Sequence, residues 1–76
     1  MNKARRNIIS KLIEQTEIIK EELENVCSEE QDVLDNIPEN LQGTDRYEMC
    51  ENAVDALSNA VDALDEVIGY MNEAIE

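Results

Sequence analysis

Carboxylates are the most abundant reactive groups in this chain. Of its 76 residues, 19 are Asp or Glu, against six Lys and Arg and no His. Histidine is the usual general base and a common metal ligand, and dimetal sites in helical bundles use a Glu-x-x-His spacing that cannot occur here. The acidic clusters at 21–24 and 29–32 lack the Asp-rich loop and central glycine of an EF-hand. We therefore expect no metal and no cofactor, and carboxylates that face solvent.

The possible nucleophiles are three serines and two cysteines. Ser10, Ser28 and Ser58 have no base to activate them, and two glycines are too few for a phosphate-binding loop or a nucleophile elbow. Cys27 and Cys50 are too few and too far apart for a zinc site. We expect no enzymatic activity, no catalytic residue and no cofactor-binding residue. We interpret the two cysteines as small buried hydrophobic residues of a protein in a reducing compartment.

The net charge of −13 limits the partners of the chain. Nucleic acids and anionic membranes would repel such a surface, whereas a basic protein surface would attract it. No apolar run approaches the ~20 residues that cross a bilayer, and the N-terminus lacks the apolar region of a secretory signal. We expect a cytoplasmic protein with a basic protein partner and no direct contact with nucleic acid or membrane.

A heptad pattern of unusual apolar breadth runs from Tyr47 to Glu76. Every a, c, d and g position is apolar, every b, e and f position is polar or glycine, and NAVDAL occurs twice, at 52–57 and 59–64. A helix that packs on one partner needs two or three apolar positions in seven, and this one has four. The a/d seam consists of Tyr47, Cys50, Val54, Leu57, Val61, Leu64, Ile68, Met71 and Ile75. The additional c/g stripe consists of Met49, Ala53, Ala56, Ala60, Ala63, Val67, Tyr70 and Ala74.

The first half of the chain has a less regular seam. Its members recur at alternating steps of three and four: Arg5, Ile9, Leu12, Thr16, Ile19, Leu23, Val26, Glu30, Val33 and Ile37. Such spacing, sustained over four heptads, indicates a long amphipathic helix. Ile13, Cys27 and Leu34 lie one position beyond the seam and widen it on one side.

These patterns predict an all-α fold in a single domain, residues 1–76. Pro38 ends the first helix, so we expect a helix at 3–36, a loop at 37–44 and a helix at 45–75. Two helices of similar length joined by a short loop form an antiparallel αα-hairpin.

The loop has its own local signals. We expect Gly43 to adopt a left-handed conformation that closes the turn. Thr44 or Asp45 can cap the second helix, and Asp45 with Glu48 has the spacing of a capping box.

Folding back also predicts ion pairs at the open end of the hairpin. Lys3, Arg5 and Arg6 oppose the dipole of the first helix, and an antiparallel arrangement brings Glu73 and Glu76 alongside them.

The c/g stripe needs a second partner. A second copy of the hairpin would cover it in a four-helix bundle, which predicts a homodimer. Docking of another protein's helix would also cover it. A third explanation is that the alanines reflect helix propensity alone. Small residues at Ala53, Ala56, Ala60 and Ala63 would allow a close approach of two backbones.

The outer face of the second helix is acidic. Its partner-binding candidates are Glu48, Glu51, Asp55, Asp62, Asp65, Glu66 and Glu73. One helix has far fewer charges per length than duplex DNA, but a dimer with a net charge of −26 over about 50 Å approaches the duplex value. A DNA-mimic inhibitor is therefore an alternative that depends on dimerisation.

The segment from Asn36 to Glu48, with its Pro38, Leu41, Gly43 and Arg46 pattern, runs into the repeated AVDAL. It resembles small acidic hairpin proteins of prophages and mobile elements of Gram-positive bacteria. The resemblance implies an accessory role of phage type in the cytoplasm of a bacterial host, without a mechanism.

Three functions are thus compatible with the sequence. The first is a non-catalytic, acidic protein-interaction module that binds a basic protein, for example a host defence or DNA-processing protein. The second is a DNA mimic that inhibits a nucleic-acid-binding protein. The third is a structural subunit of a coiled-coil assembly.

Overall fold

The computed structural model describes all 76 residues and contains two long helices. Helix α1 spans Lys3–Asp35 and helix α2 spans Asp45–Ile75, with a short 3₁₀ turn, Glu39–Leu41, between them and no strands. The helices pack against each other as an antiparallel αα-hairpin, as the heptad patterns predict. The Cα atoms extend over 59 × 15 × 13 Å, so the hairpin is a rod.

Side-chain caps fix the start of each helix. In α1, the Asn2 Oδ1 accepts a hydrogen bond from the Arg5 amide at 2.8 Å. In α2, the Thr44 Oγ1 accepts from the Tyr47 amide at 3.3 Å and also donates to the Leu41 carbonyl at 2.7 Å. Thr44 is therefore the N-cap of α2. The alternative cap, Asp45, lies inside the first turn, where its charge favours the helix dipole.

The connection between the helices is built without a left-handed residue. No glycine has a positive φ angle, so the predicted left-handed conformation of Gly43 is wrong. Asn36 ends α1 by donating from its side-chain amide to the Asp32 carbonyl at 2.8 Å. The 3₁₀ turn then reverses the chain, because the Leu41 amide bonds to the Pro38 carbonyl at 2.9 Å and a left-handed closure is unnecessary.

The predicted a/d seam of α2 is confirmed as the surface that packs on α1. All nine of its residues are buried or half-buried, and Val54 is the most buried at 8% exposure. The helix continues without interruption through Gly69, which lies at an exposed b position.

The predicted seam of α1 is wrong at five positions, since Arg5, Leu12, Ile19, Val26 and Val33 are exposed. The buried and half-buried residues of α1 and its end are Ile9, Ile13, Thr16, Lys20, Leu23, Cys27, Glu30, Leu34 and Ile37. They define a heptad with a at Ile13 and d at Ile9. The predicted members Leu12, Ile19, Val26 and Val33 are g positions of this heptad and are 45 to 51% exposed. Half of the contact positions move by one residue, which is about 100° around the helix. The contact face is therefore rotated by about 50° on average from the predicted one.

One ion pair joins the two helices. Lys20, an a position of α1, places its Nζ 2.5 Å from an Asp65 carboxylate oxygen. The hydrogen bond to Asp65 raises the pKa of the Lys20 ammonium. The pairs predicted between the N-terminal cations and Glu73 or Glu76 are not formed, so the ion pair lies near the middle of the rod rather than at its open end.

The interior of the hairpin is small. Only Ile13 and Val54 are buried, each with 8% of its surface exposed, and no side chain is fully buried. The radius of gyration is 17.3 Å, against about 11 Å for a globular domain of this length. Two helices that share one seam leave most of each helix surface open to solvent.

Candidate interaction surfaces

The antiparallel arrangement gives the hairpin two different sides. In each helix, the e and g positions flank the a/d seam on opposite sides. Because the two helices run in opposite directions, the g positions of both helices lie on one side of the seam and the e positions of both lie on the other. A groove lined by Val33 and Arg46, both g positions, marks the first side. A second groove, lined by Glu24, Gln31 and Ser58, all e positions, marks the opposite side.

The e side is polar along its length. It consists of Ser10, Glu17, Glu24, Gln31, Glu51, Ser58, Asp65 and Asn72, all of which are exposed. Charged and amide side chains at these positions keep their hydration, so this side needs no protein partner.

The g side is apolar between its two terminal positions, Arg5 at the open end and Arg46 at the loop end. This apolar part consists of Leu12, Ile19, Val26, Val33, Ala53, Ala60, Val67 and Ala74. Ala53 and Ala60 are half-buried against the seam and the other six are exposed. Exposed β-branched and leucine side chains in one continuous stripe are unusual on a protein that remains alone in water.

The c positions of α2 extend this apolar surface outward. Ala56 and Ala63 are exposed in its middle, and two large side chains are exposed at its ends, Met49 at 72% and Tyr70 at 69%. The residues predicted for self-association thus lie on one continuous surface, which we call the apolar face: the apolar part of the g side together with Met49, Ala56, Ala63 and Tyr70. The widening of the α1 seam by Ile13, Cys27 and Leu34 indicated a second contact direction for α1, but sequence reasoning assigned no α1 residue to this face.

The acidic residues predicted to bind a partner lie away from this face. All seven of them, from Glu48 to Glu73, are exposed. Asp65 forms the ion pair with Lys20, and the others have no cationic partner. Their mutual repulsion is therefore uncompensated within the hairpin, and a cationic surface could relieve it.

Charge is distributed unequally along the rod. Residues 21–60, which form the half nearer the loop, hold twelve acids and one base, a net charge of −11. The half that contains the helix ends holds seven acids and five bases, a net charge of −2. The loop half is thus strongly acidic, whereas the open half is close to neutral.

A groove at the loop end lies next to the apolar face. It has a volume of about 420 Å³, and its lining includes Val33, Ile37, Pro38, Leu41 and Tyr47. Arg46 also lines this groove and is the only cation in the loop half, and it forms no ion pair.

The two cysteines lie in the seam as free thiols. The Cys27 Sγ lies 3.9 Å from the Val54 carbonyl oxygen, and the Cys50 Sγ lies 3.8 Å from the Glu30 carbonyl oxygen and 3.9 Å from its carboxylate. Burial raises the pKa of the Cys50 thiol, and the negative charge of Glu30 raises it further. Cys50 is thereby kept as a protonated, weakly nucleophilic thiol at neutral pH.

No three Cys, Asp or Glu side chains come together in a way that could hold a metal ion. Neither helix has an apolar stretch long enough to cross a membrane. No protein-family model matches the chain, and no curated protein or solved structure matches it either.

Proposed function

We propose that the chain is a non-catalytic protein-interaction module, in which two hairpins associate through their apolar faces into a four-helix bundle and present acidic surfaces to a basic protein. The observation that supports this proposal most directly is the uncovered apolar face. Ile19, Val26 and Val33 are about half exposed in the single hairpin, at 51, 46 and 49%.

The total surface supports self-association. The hairpin exposes 5763 Å², whereas a folded monomer of 8.6 kDa exposes about 4,700 Å². The excess of about 1,000 Å² is close to the ~800 Å² that each partner buries in a standard interface.

The dimensions of the rod support it as well. One broad side of a rod of 59 × 15 Å has an area of about 900 Å², again the size of a standard interface. A second hairpin laid along the first would therefore bury enough area for a stable dimer without any change in either fold.

The acidic surfaces define the class of the second partner. Six of the seven acidic candidates on α2 form no ion pair, and the dimer would carry a net charge of −26. A basic protein would be attracted to this charge over a long range. On binding, its cationic side chains would form charge-assisted hydrogen bonds with the carboxylates and relieve their mutual repulsion. An accessory role in a prophage or mobile element, which the resemblance implies, is compatible with such a partner.

The dimer is tested by the mass of the protein in solution over a range of concentrations. We expect twice the chain mass at micromolar concentrations and dissociation on dilution. Ala63→Glu places a charge in the middle of the apolar face and should weaken the dimer by about 100-fold, because an unpaired carboxylate would be buried. Asn59→Glu adds the same charge at an exposed f position and serves as the matched control. A wild-type monomer at all concentrations would refute this part of the proposal.

The basic partner is tested by capture from the host lysate with the wild-type chain and with a charge-reduced variant, Asp55→Asn, Asp62→Asn and Glu66→Gln. We expect a basic protein to be captured by the wild type only and to be released steeply between about 50 and 200 mM salt. Equal capture by both chains would mean that these three carboxylates do not form the binding surface.

A DNA mimic is the second candidate, and the charge of the loop half favours it. A net charge of −11 over half of the 59 Å rod corresponds to about one charge per 2.7 Å, against about 1.7 Å in duplex DNA. If the captured protein binds nucleic acid and duplex DNA competes with the chain for it, the mimic is supported. Capture that is insensitive to DNA would leave the simpler interaction module.

A further inference from the structure

We infer that the two hairpins associate in antiparallel orientation, with the loop end of each lying against the open end of the other and with Met49 packed on Tyr70 of the second copy. This inference rests on the proposed dimer and names its geometry. It follows from the charges along the rod and from the positions of the large side chains on the apolar face.

The unequal charge of the two halves opposes parallel association. A parallel dimer would place two loop halves, each with a net charge of −11, side by side, whereas an antiparallel dimer places each beside an open half of −2. Coulomb repulsion scales with the product of the two facing charges. Added over both ends, this product is about 44 squared elementary charges for the antiparallel dimer and about 125 for the parallel one, so the parallel dimer is repelled more strongly. Helices in contact are about 10 Å apart, close to the Debye length at physiological salt, so screening reduces this difference without removing it.

The cations of α1 add a specific attraction. Lys3, Arg5 and Arg6 have no ion-pair partner within the hairpin. In an antiparallel dimer they lie beside the loop half of the other copy, which contains twelve acids. Parallel association would instead group the cations of both copies at one end and the acids at the other.

The apolar face of α2 is symmetric about its own midpoint. Ala60 lies at the middle of Asp45–Ile75, and Met49 and Tyr70 are nearly equally distant from it on either side. Antiparallel packing of two α2 helices about Ala60 therefore brings Met49 to Tyr70 of the second copy at both ends, and Ala56 to Ala63 between them. The full length of the two helices overlaps in this register.

The side chains suit this pairing. Met49 and Tyr70 have the greatest exposure among the large apolar residues, 72 and 69%. A methionine sulfur packs favourably on an aromatic ring, and the alanines between the two ends let the backbones approach closely. On the g side, Val67 would face Ala53 of the second copy, so a larger side chain meets a small one.

The orientation is tested by pulsed electron resonance distances on a chain that carries one spin label, on Gln42→Cys in the loop, with Cys27→Ala and Cys50→Ala. Antiparallel association predicts a distance near the 59 Å length of the rod. Parallel association predicts less than about 25 Å, since the two loops would be neighbours. A short distance would overturn the antiparallel orientation and leave the proposed dimer intact. A spectrum without dipolar modulation, together with a monomer mass, would overturn the dimer itself.

A charge exchange tests the same contact with both native cysteines in place. In Met49→Glu with Tyr70→Lys, antiparallel packing sets a carboxylate against an ammonium at both ends. The control, Met49→Lys with Tyr70→Lys, has a less negative net charge, which would otherwise favour association. We expect the first variant to dimerise at least about 10-fold more tightly than the control. Tighter dimerisation of the control would overturn the proposed contact. In parallel packing, like charges face each other in both variants, so the variant with the less negative net charge would dimerise more tightly.

Discussion

The two sides of the hairpin seam have the same backbone geometry and opposite chemistry. On the e side, Glu24 and Gln31 of α1 lie beside Ser58 of α2, and all three are polar and exposed. On the g side, Val26 and Val33 lie at equivalent heptad positions and remain about half exposed. A helical hairpin needs only its a/d seam to fold, so apolar residues on one flank alone indicate a requirement beyond folding. The second hairpin of the proposed dimer would meet that requirement.

The largest effect on stability is expected from substitutions in the a/d seam, which lies between the two sides. Leu64→Ala removes a side chain that packs between the helices, and it should lower the free energy of unfolding by about 2 to 4 kcal/mol. Asp62→Ala, at an exposed b position two residues away, should change it by less than about 0.5 kcal/mol. Thermal or urea unfolding measures both. A severe loss from Asp62→Ala would show that the heptad assignment of α2 is wrong.

A smaller effect, on dimerisation, is expected when glutamine replaces one residue on the g side or one on the e side. Val26→Gln makes the g side polar and Glu24→Gln keeps the e side polar, and both substitutions retain helix propensity. We expect Val26→Gln to raise the dimer dissociation constant by about 10-fold, because the buried amide would lack a partner. Glu24→Gln should leave it nearly unchanged. Sedimentation or light scattering at several concentrations gives both constants, and equal effects would remove the distinction between the two sides.

The smallest effect concerns Cys50, which lies in the seam beside the one acidic residue at a d position, Glu30. Burial and the Glu30 charge raise the pKa of this thiol, so Glu30→Gln should lower the pKa and increase the thiolate fraction at pH 8. In a Cys27→Ala background, we expect alkylation of Cys50 to accelerate several-fold at pH 8. The pH dependence of the alkylation rate checks the direction. A slower reaction in the variant would contradict the assigned cause.

Much of the architecture could be predicted from local signals. The alternating apolar residues of α2 predict its length and its seam, and Pro38 predicts the break between the helices. Polar caps beside these breaks, such as Thr44, mark where the second helix begins. These features depend on residues close together in the chain, whose preferences for helix, cap or turn act before any tertiary contact forms.

The sequence did not decide which face of α1 packs on α2. Both the predicted seam and the observed one have apolar residues at steps of three and four, so periodicity alone cannot distinguish Leu12, Ile19 and Val26 from Ile13, Lys20 and Cys27. The tertiary structure chooses by contact: Cys27 lies against the Val54 carbonyl and Lys20 reaches Asp65. A lysine at a seam position is tolerated because its stem packs while its ammonium pairs.

The sequence by itself therefore determined two helices, a hairpin, an acidic surface and an excess of apolar residues. Only the tertiary structure decided that the excess from both helices lies on one side. The physical reason is the antiparallel direction of the helices, which brings g positions to g positions. An apolar flank that each helix carries separately thus becomes one continuous face.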